Sequence, residues 1–155
     1  MMSLKVGDKA PDFNVSSDTE GNISLRNFKG KKAVIFFYPK DNTPGCTKEC
    51  VQFSESIDKF TSAGTVVIGT SKDSIESHVN FRQKHNLKIY LASDSAGSMV
   101  GAYGVWVEKQ NYGRKYMGIE RSTFLVDESG VIRRIWRKVR VANHVDDVLE
   151  AIRSM

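Results

Sequence analysis

Cys46 and Cys50 are the only thiols in the 155-residue chain. They lie in the stretch Tyr38-Pro39-Lys40-Asp41-Asn42-Thr43-Pro44-Gly45-Cys46-Thr47-Lys48-Glu49-Cys50. Pro44 and Gly45 impose a turn, and the residues beyond them carry helical periodicity, so Cys46 is expected in the first turn of a helix. There the unpaired backbone N–H groups and the positive end of the helix dipole favour an anion. A cysteine in such a place is favoured as the thiolate. A thiolate is the form that attacks the O–O bond of a peroxide and becomes a sulfenic acid. An isolated cysteine is more often an inert core residue; the Pro/Gly turn and the strand-to-helix position set this one apart.

The elements that must hold this segment can be read on either side of it. The run Ala33-Val34-Ile35-Phe36-Phe37-Tyr38 is continuously apolar and suits a strand buried on both faces. Residues 65–70 form a second such run, 122–126 a third and 131–139 a fourth, with Asp127-Glu128-Ser129-Gly130 as the turn of an antiparallel pair. Short strands are expected over 12–15 and 22–25, around the turn-rich stretch 16–21. Helical patterns cover 47–63, with Cys50, Phe53, Ile57 and Phe60 on one face, and 74–85, with Ile75, Val79 and Phe81 inward. Another covers 144–154. Ser74 and Asn143 are the expected caps. The order predicts an α/β domain over 1–155: a central mixed β-sheet with helices on both faces and an N-terminal β-hairpin. Strands 33–38 and 65–70 are expected to be parallel, joined by a right-handed crossover. Reactive groups collect at the ends of such strands.

Composition limits the alternatives. The formal charge is +5, which speaks mainly to solubility. Two cysteines do not make a secreted disulfide scaffold. Neither a signal-peptide pattern nor an apolar run of roughly 18 residues is visible, so the expected setting is the reducing cytoplasm, without membrane contact. The strand Arg133-Arg134-Ile135-Trp136-Arg137-Lys138-Val139-Arg140 mixes basic and aromatic residues as nucleic-acid binders do. A solvated sheet edge kept from aggregating by charge accounts for it better, so no nucleic-acid partner is expected. Zinc ligation by Cys46, Cys50 and a histidine is disfavoured, because His78, His85 and His144 are scattered singly on helical patterns.

Pro39, Thr43 and Cys46 together match the active-site pattern of the peroxiredoxins. Thr43-Pro44-Gly45-Cys46-Thr47 resembles the bacterioferritin comigratory protein, or peroxiredoxin Q, subfamily. Residues 6–13 are similar to that subfamily's opening and Tyr116–Asp127 to its second signature, so the resemblance covers nearly the whole chain. It implies a thioredoxin-like fold, no cofactor and no metal. The implied activity is a thiol-dependent peroxidase for hydrogen peroxide and organic hydroperoxides, serving antioxidant defence. Cys46 is the implied peroxidatic residue. Thr43 would hydrogen-bond the thiolate and the peroxide, and Arg121 would hold the thiolate charged and stabilise the leaving oxygen. Pro39 would shield the sulfur, the N–H groups of Gly45 and Cys46 would complete the cradle, and Glu49 would orient Arg121. The implied reductant is thioredoxin, glutaredoxin or a small thiol, and the implied state a monomer or weak dimer.

Cys50 departs from the pattern, since locally resolving members place the second cysteine five positions after the first. On an intact helix, residues four apart have Cβ atoms about 5–6 Å apart, whereas a disulfide needs about 3.5–4.5 Å. A Cys46–Cys50 bond therefore requires the first turn to unwind. Cys50 is either a resolving cysteine or a small core residue, and in the second case an external thiol would reduce Cys46 directly. A thioredoxin-like disulfide oxidoreductase is the competing enzyme class. It would need Cys-x-x-Cys and a proline before the third core strand, and no proline follows Pro44.

Overall fold

The computed structural model describes residues 4–19 and 21–155. The expected domain span of 1–155 and the stretch 16–21 thus each include positions outside the described residues. The chain opens with an antiparallel hairpin, β1 (Asn14–Ser17) and β2 (Asn22–Ser24), followed by a 3-10 turn over Leu25–Phe28. The apolar run then forms β3 (Lys32–Phe37). It leads through a short loop into α1 (Pro44–Glu55) and α2 (Ile57–Ser62). Next come β4 (Thr65–Ser71), α3 (Ile75–His85), β5 (Tyr90–Ser93) and α4 (Ser98–Ala102). A hairpin of β6 (Trp106–Asn111) and β7 (Arg114–Ile119) precedes β8 (Ser122–Val126), β9 (Ile132–Trp136) and α5 (His144–Arg153).

Seven strands make one mixed sheet in the order β2-β1-β5-β4-β3-β8-β9, and β6 and β7 pair separately. β3 lies parallel to β4, with Val34 opposite Val67, and antiparallel to β8, with Ile35 opposite Phe124. Side chains alternate across the sheet, which gives β3 two cores. Val34, Phe36 and Tyr38 enter one with Cys46, Cys50, Phe53, Phe60, Phe81 and Leu149, under α1, α2, α3 and α5. Ala33, Ile35 and Phe37 enter the other with Met99, Val100 and Phe124, under α4, the 3-10 turn and the N-terminal hairpin. Helices therefore cover both faces, as expected. Each fully buried ring contributes about 1.5–3 kcal/mol. Phe36 stacks on Phe53 of α1 at 4.5 Å between centroids and 17° between planes. Gly69 of β4 makes room for that ring: a Cβ there would lie 2.7 Å from the Phe36 Cζ.

Several boundaries differ from the sequence reading. The helix expected over 47–63 starts earlier, with Pro44 in its first turn, and breaks at Ser56 into two helices. Pro44 has no N–H to lose there, so it is well placed. Ser74 caps α3 by accepting a bond from the Ser77 N–H at 3.1 Å. Asn143 occupies the corresponding place before α5 but has a left-handed backbone, φ 62°, and makes no side-chain cap bond. On α3 the buried positions are His78 and Phe81, while Ile75 and Val79 are only partly covered. β5, α4, β6 and β7 were not anticipated at all. β9 is the last strand of the sheet, with Arg133 and Arg134 exposed. No helix among the described residues is long and apolar enough to cross a membrane.

Candidate active site

β3 leads into the loop that precedes Cys46. Its last bond to the neighbouring strand runs from the Tyr38 N–H to the Thr70 carbonyl at 3.0 Å. The chain then leaves the sheet through 39–43 and re-enters regular structure at Pro44. Thr43 stands at the N-cap in extended conformation, and its carbonyl accepts the first helical bond, from the Thr47 N–H at 2.8 Å. Its side chain does not cap the helix. The hydroxyl instead donates to the Lys40 carbonyl at 2.8 Å, so its single proton is committed there rather than to the Cys46 sulfur. The first-turn N–H groups of Gly45 and Cys46 have no partner within the helix. Pro39 follows the strand directly, with an exposed ring.

Cys46 is buried beneath this turn. Its Sγ accepts a hydrogen bond from Arg121 Nη2 at 3.3 Å. Arg121 comes from the junction of β7 and β8, where its own carbonyl accepts a bond from the Val139 N–H at 2.9 Å. Its Nη1 donates to Glu49 Oε1 at 2.6 Å. The guanidinium fork thus spans the sulfur and a carboxylate three residues further along the same helix. Gly45 permits this approach, because a Cβ on it would lie 3.3 Å from Nη2. Five of the expected site residues, Thr43, Gly45, Cys46, Glu49 and Arg121, are gathered at one helix end.

Electrostatics differ sharply among these groups. Glu49 is fully buried, and burial pushes its carboxyl up to about 7 despite the pull of Arg121. Its second oxygen, Oε2, has no hydrogen-bond partner among the described residues. Arg121 loses some stability of charge to burial, yet Glu49 and Cys46 raise it overall and keep it cationic. Cys50 is also buried, and its thiol is pushed well up, first by burial and then by the negative charges of Glu49, Cys46 and Asp41. In the folded helix Cys50 is a protonated core thiol beside Phe53, and both cysteines are free.

The histidines have partners of their own. His144 Nε2 meets Thr123 Oγ1 at 2.8 Å, and His85 packs edge-on against Phe81. His78 pairs with Asp41. The sequence reading assigned no role to Asp41 or to Lys109. Lys109 of β6 is half-buried, and its charge interacts with Arg121, Cys46 and Glu120. Asp41 carried a visible signal: it is an acid inside the reactive loop. Lys109 carried none, being one of several charges on a polar strand.

Comparison with known proteins shows the family and the fold. Residues 6–135 match the model of the AhpC/TSA family. A putative peroxiredoxin bcp of Coxiella burnetii is 49% identical over 148 residues, covering 96% of this chain and 98% of the relative. A solved structure of Xanthomonas campestris bacterioferritin comigratory protein, studied for alkyl peroxide reduction activity, superposes with a TM-score of 0.87 at 41% identity, over 92% of this chain and 90% of that one. A cysteine mutant of Xylella fastidiosa PrxQ reaches 0.93 at 32% identity, over 99% and 98%. With near-complete coverage in sequence and in fold, the chain belongs to the AhpC/TSA family, in its Bcp/PrxQ group of peroxiredoxins, and is a thiol peroxidase.

Proposed function

We propose that Cys46 is the peroxidatic residue and that it reduces hydrogen peroxide and organic hydroperoxides. The observation that carries this reading is the Arg121 contact at 3.3 Å to a sulfur in the first turn of α1. The thiolate attacks the terminal peroxide oxygen. An S–O bond forms, the O–O bond breaks, and two electrons pass from sulfur to the peroxide. The product is Cys46 sulfenic acid plus an alkoxide or hydroxide, which takes up a proton and leaves as alcohol or water. Arg121 and the first-turn N–H groups stabilise the charge developing on the leaving oxygen. Thr43, with its proton given to Lys40, serves the peroxide as an acceptor for the O–H. Glu49 holds the guanidinium in plane. Pro39 limits access of water. The organic branch draws support from the alkyl peroxide activity of the Xanthomonas relative.

Regeneration follows by one of two routes. In the first, Cys50 condenses with the sulfenic acid, releasing water, and the disulfide is reduced by thioredoxin or glutaredoxin. This requires the first turn of α1 to open, since Cys50 is buried and protonated in the folded helix. In the second, a small thiol reduces the sulfenic acid directly. The cytoplasm, rich in thiol reductants, suits both. Peroxide consumption by the unaltered protein, Cys46→Ser and Cys50→Ser, each with several reductants, tests the scheme. Activity retained in Cys46→Ser would overturn it. Intact-mass analysis after peroxide treatment separates the routes: loss of two hydrogen atoms marks the disulfide, gain of one oxygen the sulfenic acid.

A further inference from the structure

The loop of residues 39–43 that leads to Cys46 has a single buried residue. Pro39, Lys40 and Asn42 are exposed and Thr43 is half-buried, but Asp41 is 4% exposed. Its carboxylate accepts bonds from Tyr38 Oη at 2.6 Å, Ser77 Oγ at 2.8 Å and His78 Nδ1 at 2.7 Å. Its N–H donates to Asp73 Oδ2 at 2.8 Å. Asp73 is held in turn by Ser71 Oγ at 2.7 Å, and its carbonyl accepts from Ser93 Oγ at 2.6 Å. The other ring nitrogen of His78 faces the Ala92 carbonyl of β5 at 3.0 Å. A carbonyl has no proton to give, and neither has a carboxylate. Both ring nitrogens therefore donate, and His78 is an imidazolium. α3 thus holds Asp41 directly, while β4 and β5 hold its partners Asp73 and His78, all converging on one residue of an otherwise exposed loop. Tyr38, Asp73 and Cys50 are the other titratable groups in electrostatic contact with the pair.

Chain length makes this anchor matter. Only Asn42 and Thr43 separate Asp41 from Pro44, the first residue of α1. Asn42 has a left-handed backbone, φ 64°, which sets the direction of that short link. At about 3.3–3.6 Å per residue there is little slack. Where Asp41 is held, α1 must begin, and the position of Cys46 relative to Arg121 follows.

We propose that the buried Asp41–His78 ion pair is the anchor that positions the Cys46 loop against Arg121, making Asp41 and His78 positioning residues for the peroxidase reaction. This rests on the reading of Cys46 as peroxidatic. A buried ion pair is a poor source of net stability but a good device for fixing register. The pair also sets the limit of opening: when the first turn of α1 unwinds, the loop stays tied at Asp41.

The test compares His78→Gln with the unaltered protein where circular dichroism shows both folded. The measurements are the rate constant for Cys46 oxidation by hydrogen peroxide, the pH profile of Cys46 alkylation by iodoacetamide, and the 15N signals of the His78 ring. Oxidation is expected to slow by about tenfold or more, as small misplacements of reacting groups do. The alkylation profile is expected to move to higher pH, and both ring nitrogens of His78 to be protonated at neutral pH. A folded His78→Gln with a rate within about twofold of the original and an unmoved profile overturns the proposal. So does a bare ring nitrogen at neutral pH. If His78→Gln does not fold, Tyr38→Phe and Ser77→Ala each remove one neutral donor from Asp41 without stranding a charge. Both are expected to slow oxidation several-fold, and unchanged rates in both overturn the proposal. Failure of the underlying reading looks different, since Cys46 of the unaltered protein would then not be consumed by peroxide.

Discussion

Two buried ion pairs flank the start of α1, and they are built to opposite standards. In the Asp41–His78 pair every charged atom has a partner, and the residues that supply the partners are themselves tied down. In the Glu49–Arg121 pair one carboxylate oxygen is bare, and one arm of the guanidinium is turned toward the Cys46 sulfur. The ionisations follow. Asp41 is lowered from its ordinary value: burial raises it, but His78, Tyr38 and Ser77 together outweigh burial. Glu49 has only Arg121 to oppose burial and sits near 7. A fully satisfied pair fixes position; an incompletely satisfied one keeps capacity for a reacting group. The difference teaches where the protein spends rigidity and where it keeps a cation available.

Substitutions can sharpen that contrast, beginning with the largest effect. His78→Ala strands the Asp41 carboxylate in the core and is expected to destabilise the fold by about 3–5 kcal/mol, measured by urea unfolding. Arg121→Ala removes the donor to the sulfur and is expected to lower the peroxide oxidation rate about 10²-fold or more, while leaving unfolding less affected. Arg121→Lys should not restore it, because a point charge cannot reach sulfur and carboxylate in one plane. Equal loss of stability and rate in both variants would erase the distinction between the pairs.

The next effect is in pH dependence. Glu49 rises from 4.5 to about 7 on folding, so the folded state holds more proton than the unfolded one between those values. Stability of the unaltered protein therefore falls as pH rises through that window, by up to ~3 kcal/mol from this group. Glu49→Gln should remove that slope. In the other pair the partners outweigh burial, and its two members act in opposite directions. His78 is raised, chiefly by Asp41 acting against burial, so its contribution is complete below about 6.5 and disappears as pH rises through its folded value. Asp41 is lowered, so its contribution is present above its ordinary 3.8 and is lost as pH falls through its folded value. The smallest effect belongs to the exposed Arg133–Asp127 pair at 3.4 Å, where Arg133→Ala should change stability by only about 0–1 kcal/mol.

Legibility followed burial. β3 could be read because residues 33–37 are apolar without a break, β8 because Phe124-Leu125-Val126 are, and the place of Cys46 in the first helical turn because a Pro/Gly turn precedes it. The β6–β7 hairpin could not be read, because most of its residues face water and no apolar alternation marks it. Its turn is also disguised: Tyr112 takes φ 51° before Gly113, where an asparagine or aspartate would have given the signal. The break at Ser56 was hidden by an apolar face that runs on from Phe53 to Phe60. His78 was missed because a histidine at an inward position of α3 looks polar until its two acceptors are seen. Arg121 and Glu49 were named through the family resemblance; nothing in their spacing says that two residues 72 positions apart close to one ion pair.

Gly69 shows how far the packing beneath α1 depends on a residue without a side chain. Its backbone has ordinary negative φ, so the requirement is for space alone. Any substituent at 69 would displace the Phe36 ring, which stacks on Phe53, and Phe53 lies on the same helix as both thiols. A randomised library at this codon, selected for peroxide resistance, should return glycine, even though the position sits one strand away from the chemistry and touches none of it.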